Sequence, residues 1–341
     1  MAETFSWGQG ITKLLAGESL TDDEASAAMS EIMEGAATPA QIAGFVVALR
    51  AKGETTEEIV GLVRAMRSYA LKVEVLADVV DTCGTGGDRT GTFNVSTAAA
   101  LVCAGAGASV AKHGNRAASS RCGSADVLET LGVRLDLDPS GVSACIQEAG
   151  MGFCFAPIFH PAMRHAAVPR REMGIATIFN FLGPLTNPAG ARRQAIGVSD
   201  ERMLDKMVET LRTLGSEHVV AFHGHGGLDE LALSGPSRIV ELAGGDITTR
   251  HVEPSDVGLQ SAPLEALRGG TAEENASIIR AVLAGEKGPR SDVVAFNAGA
   301  GLLAAGLAED LAAGVTLATE AIDSGAASNA LDRLVEVSNA L

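Results

Sequence analysis

A short apolar run, Val79-Val80, ends in Asp81-Thr82-Cys83. Four glycines then fall within eight residues, at 84, 86, 87 and 91, before Asn94, Ser96 and Thr97 open a helical stretch running to Ala104. Glycine tolerates positive φ and lets backbone come close to a ligand. A strand turning through glycines into a helix start aims several N–H donors at one point, and the helix dipole adds positive potential there; the result is an anion site. One or two glycines would make an ordinary tight turn. Four of them, with Asp88 and a run of hydroxyls, favour a phosphate loop. Its spacing is neither G-x-x-x-x-G-K-[ST] nor G-x-G-x-x-G, because Gly84, Gly86 and Gly87 are followed by Asp88 and Arg89.

Around this loop the chain divides. Before it, Thr21 with Glu24, Thr38 with Gln41 and Thr55 with Glu58 write three helix starts. Each precedes an apolar face, and Gly35 and Gly53 are stops for the first two. No strand pattern interrupts these residues, so 1–72 is expected to form a small helical domain. From residue 73 to 341 the pattern alternates. Strands are expected at Val79–Thr82, Ser109–Ala111, Gly152–Phe155, Gln194–Val198, His218–Phe222, Leu231–Leu233 and Arg238–Leu242. Helices are expected from Ser96, Ser124, Asp138 and Glu201, after the Thr271/Glu274 cap, and three more times to the end. That alternation predicts an α/β fold with a mainly parallel sheet and covering helices. The segment Pro161–Asn187 reads as helical and arginine-rich, and its pattern alone does not assign it to either part.

The charge balance, 26 basic against 42 acidic residues, is −16. It argues against a general nucleic-acid or acidic-membrane surface. No apolar run is long enough for a membrane span, and the start lacks a basic segment followed by an apolar one, so no signal peptide is expected. The cysteines at 83, 103, 122, 145 and 154 give neither a zinc pair nor a disulfide framework, which fits a reducing cytoplasm.

A second donor-rich run, Lys112-His113-Gly114-Asn115-Arg116-Ala117-Ala118-Ser119-Ser120 with Ser124, leaves the next strand at the same sheet edge. Ligands of open α/β sheets collect there, and these types suit a second phosphate. His113 reads as a positioning group rather than a base. His223-Gly224-His225 is no helical metal pair, and the remaining histidines read as surface or core residues. Asp229 and Glu230 follow Gly226-Gly227 at a strand end and are candidate Mg²⁺ ligands, since that ion takes carboxylates together with substrate phosphate. Arg170, in Pro169-Arg170-Arg171-Glu172, carries a guanidinium fork suited to a carboxylate.

Gly84-Thr85-Gly86-Gly87-Asp88, Thr92-Phe93-Asn94-Val95-Ser96-Thr97 and Lys112-His113-Gly114-Asn115-Arg116 through Asp126 together resemble the anthranilate phosphoribosyltransferase family over essentially the whole chain. The resemblance implies a nucleoside phosphorylase/phosphoribosyltransferase-like fold and transfer from 5-phosphoribosyl 1-diphosphate (PRPP) to anthranilate. It implies a PRPP site at Gly84, Gly87, Asp88, Thr92, Asn94, Val95, Ser96 and Thr97, continued at Lys112, His113, Gly114, Asn115, Arg116, Ala117, Ala118, Ser119, Ser120 and Ser124. It further implies anthranilate at Gly84, Asn115 and Arg170, and Mg²⁺ at Ser96, Asp229 and Glu230. A homodimer joined through the helical domain, and part of 161–190 packed with that domain, belong to the same expectation. The sequence departs from many members at Ala176, where they carry arginine. Two rivals share the fold. A nucleic-acid-binding relative conflicts with the acidic balance, and a pyrimidine nucleoside phosphorylase has a different serine- and glycine-rich signature at the second run.

Overall fold

The computed structural model describes residues 5–117 and 121–341. The chain opens with four helices, one more than the capping signals announce: α1 (Trp7–Leu15), α2 (Asp22–Glu34), α3 (Pro39–Lys52) and α4 (Thr56–Ser68). Thr21, Thr38 and Thr55 each close a capping box with the residue three further on. The N-cap of α1, Ser6, makes no side-chain bond. Glu31 of α2 holds this helix from outside, accepting from the Phe5 N–H at 2.7 Å and the Trp7 indole N–H at 2.6 Å. Phe5, Trp7 and Phe45 then meet edge to face.

The chain next alternates through β1 (Val80–Gly84), α5 (Val95–Gly105), β2 (Val110–Gly114), α6 (Ser124–Thr130), α7 (Pro139–Ala149) and β3 (Met151–Phe155). A helical excursion follows: α8 (Ala156–Phe159), α9 (Arg164–Met173), α10 (Phe179–Leu182) and a 3₁₀ turn at Gly183–Leu185. The chain returns through β4 (Arg193–Gly197), α11 (Glu201–Thr213), β5 (His218–His223), β6 (Ser237–Ala243) and β7 (Asp246–Val252). It finishes with α12 (Ala272–Leu283), α13 (Pro289–Ala305), α14 (Leu311–Asp323) and α15 (Ala326–Ala340).

The sheet runs β3-β2-β1-β4-β5-β6-β7, parallel through β5 and antiparallel for the last two strands. The mainly parallel sheet is as expected, with one strand added at its edge, β7, and two corrections. Leu231–Leu233 is not a strand. Its backbone bonds mostly to side chains: the Asn297 amide bonds both the N–H and the C=O of Leu231, Ser237 Oγ accepts from Ala232 N–H, and the Leu233 carbonyl accepts from Ala262 N–H. The second correction concerns β2, which runs on through Lys112, His113 and Gly114, so these polar residues sit inside the sheet and not in the loop after it.

Two apolar cores lie against the sheet. Ala195, Val220 and Phe222 face one, and Ile196, Val219 and Ala221 face the other, the alternation that a strand imposes. The second core runs without a break into the helical part. Ala166, Ile178, Phe181 and Leu185 of the helical excursion join Met29, Ile42 and Phe45 there.

Topology fixes where a ligand can sit. From β1 the chain winds outward to β2 and β3, then crosses to β4 on the other side of β1, so the order reverses between β1 and β4. Open α/β sheets bind ligands outside the carboxyl ends of strands at such a reversal. Gly84 and Gly197 pair across this point.

Candidate active site

Asp229 is packed over that reversal. A Cβ on Gly84 would lie 2.4 Å from Asp229 Oδ2, and one on Gly197 would lie 1.7 Å from the Asp229 carbonyl oxygen. Both glycines are therefore required by close approach. The carboxylate accepts from the Gly86 N–H at 2.7 Å, and Glu230 accepts from the Ser96 N–H at 3.0 Å. The acid pair thus takes one N–H from the glycine turn and one from the first turn of α5, which brings the Ser96 backbone to Glu230. Gly86 and Gly87 adopt φ of +68° and +80°, with open space where a side chain would point. Asp88 folds back to accept from Thr90 N–H and Oγ1–H.

The electrostatics are one-sided. Burial and the Asp88 charge push the Asp229 carboxyl up to about 7. Burial and the Asp229 charge push Glu230 up as well, against the opposing pull of Lys112. Lys112 is buried in β2, and its ammonium donates to the Thr82 carbonyl. An oxygen-only donor set of buried, mutually repelling acids fits a hard divalent cation such as Mg²⁺, which would offset both the cost of burying their charge and their repulsion.

The far limb of the loop is clamped. Phe93 N–H donates to Leu267 O, Gly269 N–H donates to Gly91 O, and Thr92 bridges Arg268. Asn94 donates to Cys122 O at 3.2 Å and accepts from Asn275 at 2.9 Å. Val95 and Thr97 are buried within α5, so their side chains pack inward.

His113 hangs between two anchors. Its backbone N–H donates to Asp81 Oδ1 at 3.1 Å, and its ring Nδ1 lies 3.1 Å from Gly183 O. A carbonyl accepts only, so Nδ1 carries the proton and Nε2 is the acceptor nitrogen of the neutral ring. Burial, then the neighbouring His160, holds its pKa down to about 3. Asp81 is fully buried, and burial raises its pKa against the pull of Lys112 and Asn187. Its second oxygen accepts from Asn187 Nδ2 at 2.8 Å.

The second donor run is only partly turned toward a ligand. The Arg116 guanidinium is committed to Asp126 and Glu129 on α6 and lies over the Phe155 ring, so it is not turned toward the glycine loop as the sequence expectation had it. Asn115 Oδ1 accepts from Arg116 N–H, Ala117 N–H donates to Asp126, and Ser124 Oγ donates to Asn115 O. Gly114 abuts Ser124 Oγ, where a Cβ would come within 2.3 Å. Ala118, Ser119 and Ser120 lie outside the described residues.

Arg170 sits in the last turn of α9, half-buried, its guanidinium 5.3 Å from the centre of the Phe179 ring, whereas Arg171 is exposed. Ala176 is exposed beyond the helix end. Asp81, Asn187 and Asn275 join the site's hydrogen bonds without a sequence pattern that marks them. The Gly269-Gly270 pair ahead of the Thr271 cap was the available sign that backbone closes on the loop there.

This combination of a helical part and an α/β part defines a class. The helical bundle domain of a glycosyl transferase family matches residues 9–70, and the a/b domain of that family matches residues 76–328. An anthranilate phosphoribosyltransferase from Roseiflexus castenholzii is 54% identical over 331 residues, covering 96% of this chain and 97% of its own. The crystal structure of the Thermus thermophilus enzyme superposes with a TM-score of 0.91 at 49% identity, covering 97% of this chain and 99% of that one. The Saccharomyces cerevisiae enzyme, in complex with PRPP and Mg, superposes with a TM-score of 0.87 at 27% identity, with 98% of both chains covered. The chain belongs to the anthranilate phosphoribosyltransferase family.

Proposed function

We propose that this chain transfers the phosphoribosyl group of PRPP to anthranilate, giving N-(5-phosphoribosyl)anthranilate and diphosphate, in tryptophan biosynthesis. One observation carries the site reading: N–H groups of the glycine turn and of the α5 start are held by Asp229 and Glu230 at the sheet's reversal. PRPP sits on the open side of Gly86 and Gly87, with Asn94, Ser96 and Lys112 around it. Asp229, Glu230 and the Ser96 hydroxyl would hold Mg²⁺, which would neutralise charge on the diphosphate. Arg170 takes the anthranilate carboxylate, and Gly84 and Asn115 lie along the same acceptor path.

The bond from C1 to diphosphate breaks as the bond from the anthranilate nitrogen to C1 forms, and the amine proton passes to solvent. The transition state carries positive charge on the ribosyl ring and extra negative charge on the leaving group. Protein catalysis is then positioning plus charge stabilisation. Neutral His113 fits positioning better than strong base catalysis.

The reading extends to a helical domain at 1–72 joined by part of 161–190, with 73–341 forming the PRPP and metal domain. It includes a homodimer through the helical part, where Leu15 and Val47 are exposed. It also includes a cytoplasmic location, supported by five buried cysteine thiols. No described helix is long and apolar enough to cross a membrane.

The test is one set of assays: PRPP with anthranilate followed by fluorescence, thymidine phosphorolysis, and a DNA gel shift. Consumption of anthranilate dependent on PRPP and Mg²⁺ is expected. Thymidine cleavage or DNA retardation without it would overturn the proposal.

A further inference from the structure

A directed amide relay stands behind the glycine loop. It begins at the Gly270 N–H, which donates to Asn275 Oδ1 at 2.7 Å. Asn275 Nδ2 donates to Asn94 Oδ1 at 2.9 Å, and Asn94 Nδ2 donates to Cys122 O at 3.2 Å. Side-chain amides are normally ambiguous, because oxygen and nitrogen are interchangeable in shape. Here both ends are backbone groups, a donor at Gly270 and an acceptor at Cys122, so each amide has one possible orientation. Asn275 is 2% exposed, so water cannot substitute for it. The segment around it also pairs with the loop's far limb through Gly269 and Leu267. The relay therefore joins the first turn of α12, the start of α5 and the end of the second donor run.

We infer that Asn275 is a positioning residue for PRPP, acting through Asn94. By donating to Asn94 Oδ1 it fixes the Asn94 amide with its nitrogen outward, one hydrogen on Cys122 O and the second left for a phosphate oxygen. Without that donor, Asn94 is free to turn its oxygen toward the phosphate. This inference rests on the assignment of Asn94 to the PRPP site made above.

The test uses Asn275→Asp, which keeps the shape and still accepts from Gly270 N–H but cannot donate. Asn94→Ala, the double variant and Asn275→Ala complete the set, each measured for PRPP and anthranilate KM, PRPP Kd by calorimetry, and thermal midpoint. Loss of a hydrogen bond to a charged group predicts PRPP Kd raised by about tenfold or more in Asn275→Asp, with anthranilate KM near wild type. The double variant should bind PRPP no worse than Asn94→Ala, since both act through one amide. Additive losses, or wild-type PRPP affinity in a folded Asn275→Asp or Asn275→Ala alongside a weakened Asn94→Ala, would overturn the inference. Unchanged affinity in Asn94→Ala itself would instead overturn the assignment of Asn94.

Discussion

Gly84→Ala adds one methyl group where the structure leaves no room for it. The new Cβ would stand 2.4 Å from Asp229 Oδ2, whereas ordinary contact begins at 3.4 Å. The carboxylate must retreat by about 1 Å. The backbone of Asp229 cannot share the movement, because Gly197 already lies against its carbonyl. A retreat of that size stretches the Gly86 N–H bond, now 2.7 Å, past the distance at which it counts as a hydrogen bond. Such a bond to a charged acceptor contributes about 1.5–3 kcal/mol, roughly 10- to 150-fold in an equilibrium constant. If Asp229 holds Mg²⁺, the concentration for half-maximal activity should rise by roughly that factor, and kcat should largely recover at high Mg²⁺. Gly86→Ala is the matched control. Its Cβ would meet open space, so the folded chain bears only the positive-φ strain of ~1–2 kcal/mol. Its defect should appear in PRPP KM instead. The measurement is initial rate against Mg²⁺ at saturating PRPP and anthranilate, with circular dichroism to check folding. A folded Gly84→Ala with wild-type Mg²⁺ dependence would refute the reasoning.

Asp229→Asn and Glu230→Gln should each lose activity that added Mg²⁺ partly restores, and the double variant should not be restored; turnover by the double variant with ordinary Mg²⁺ dependence would contradict this. Arg170→Ala should raise anthranilate KM by roughly 10- to 150-fold with kcat little changed, Arg170→Lys should recover part, and exposed Arg171→Ala should do less; the reverse order of the two alanine variants would shift the assignment by one residue. His113 is held neutral with its pKa near 3, below the ordinary 6.5, so the unfolded chain binds more protons between those values. The contribution of His113 to stability is complete above pH 6.5 and is lost as pH drops toward 3. His113→Gln should flatten this acid limb, seen as urea midpoints between pH 7 and 4, and an unchanged limb would count against burial of the neutral ring.

What could be read in the sequence follows from how local each cause is. The threonine caps at 21, 38, 55 and 271 act over three residues, and the structure closes a capping box at each. α1 was missed because its determinant, Glu31, lies on another helix. β7 was missed because it is an exposed edge strand, Thr248 to His251 facing solvent, with no apolar alternation to mark it. Lys112 and His113 looked like loop residues because they are polar. They are buried in β2 because the Thr82 carbonyl and the Asp81 carboxylate receive them. At the site, the convergence of Ser96 with Glu230 was anticipated, but only through the family resemblance, since 134 residues separate them. Asn275 and Asn94 are 181 residues apart, and nothing in either neighbourhood names the other.

The placement of these bonds divides the site into two mechanical halves. Asp229, Glu230, Asn94 and Asn275 all belong to the α/β part, and among the described residues their side chains bond within it. His113 is different, because its ring rests on Gly183 in the turn that crosses from the helical excursion back to the sheet. Three successive carbonyls of that turn are taken by three different elements: Gly183 by His113 of β2, Pro184 by Gln194 of β4 at 2.8 Å, and Leu185 by Arg67 of α4 at 2.8 Å. Asn187 then ties the turn's end to Asp81 and to the Ala111 carbonyl. Arg67 is half-buried and desolvation lowers its pKa, so this contact carries a desolvation cost that apolar packing would not. A hydrogen bond fixes direction and distance where apolar contact permits sliding. The crossing turn is therefore held in register with both parts at once. A shift of the helical part relative to the sheet moves Arg170 and the Gly183 anchor of His113 against the glycine loop.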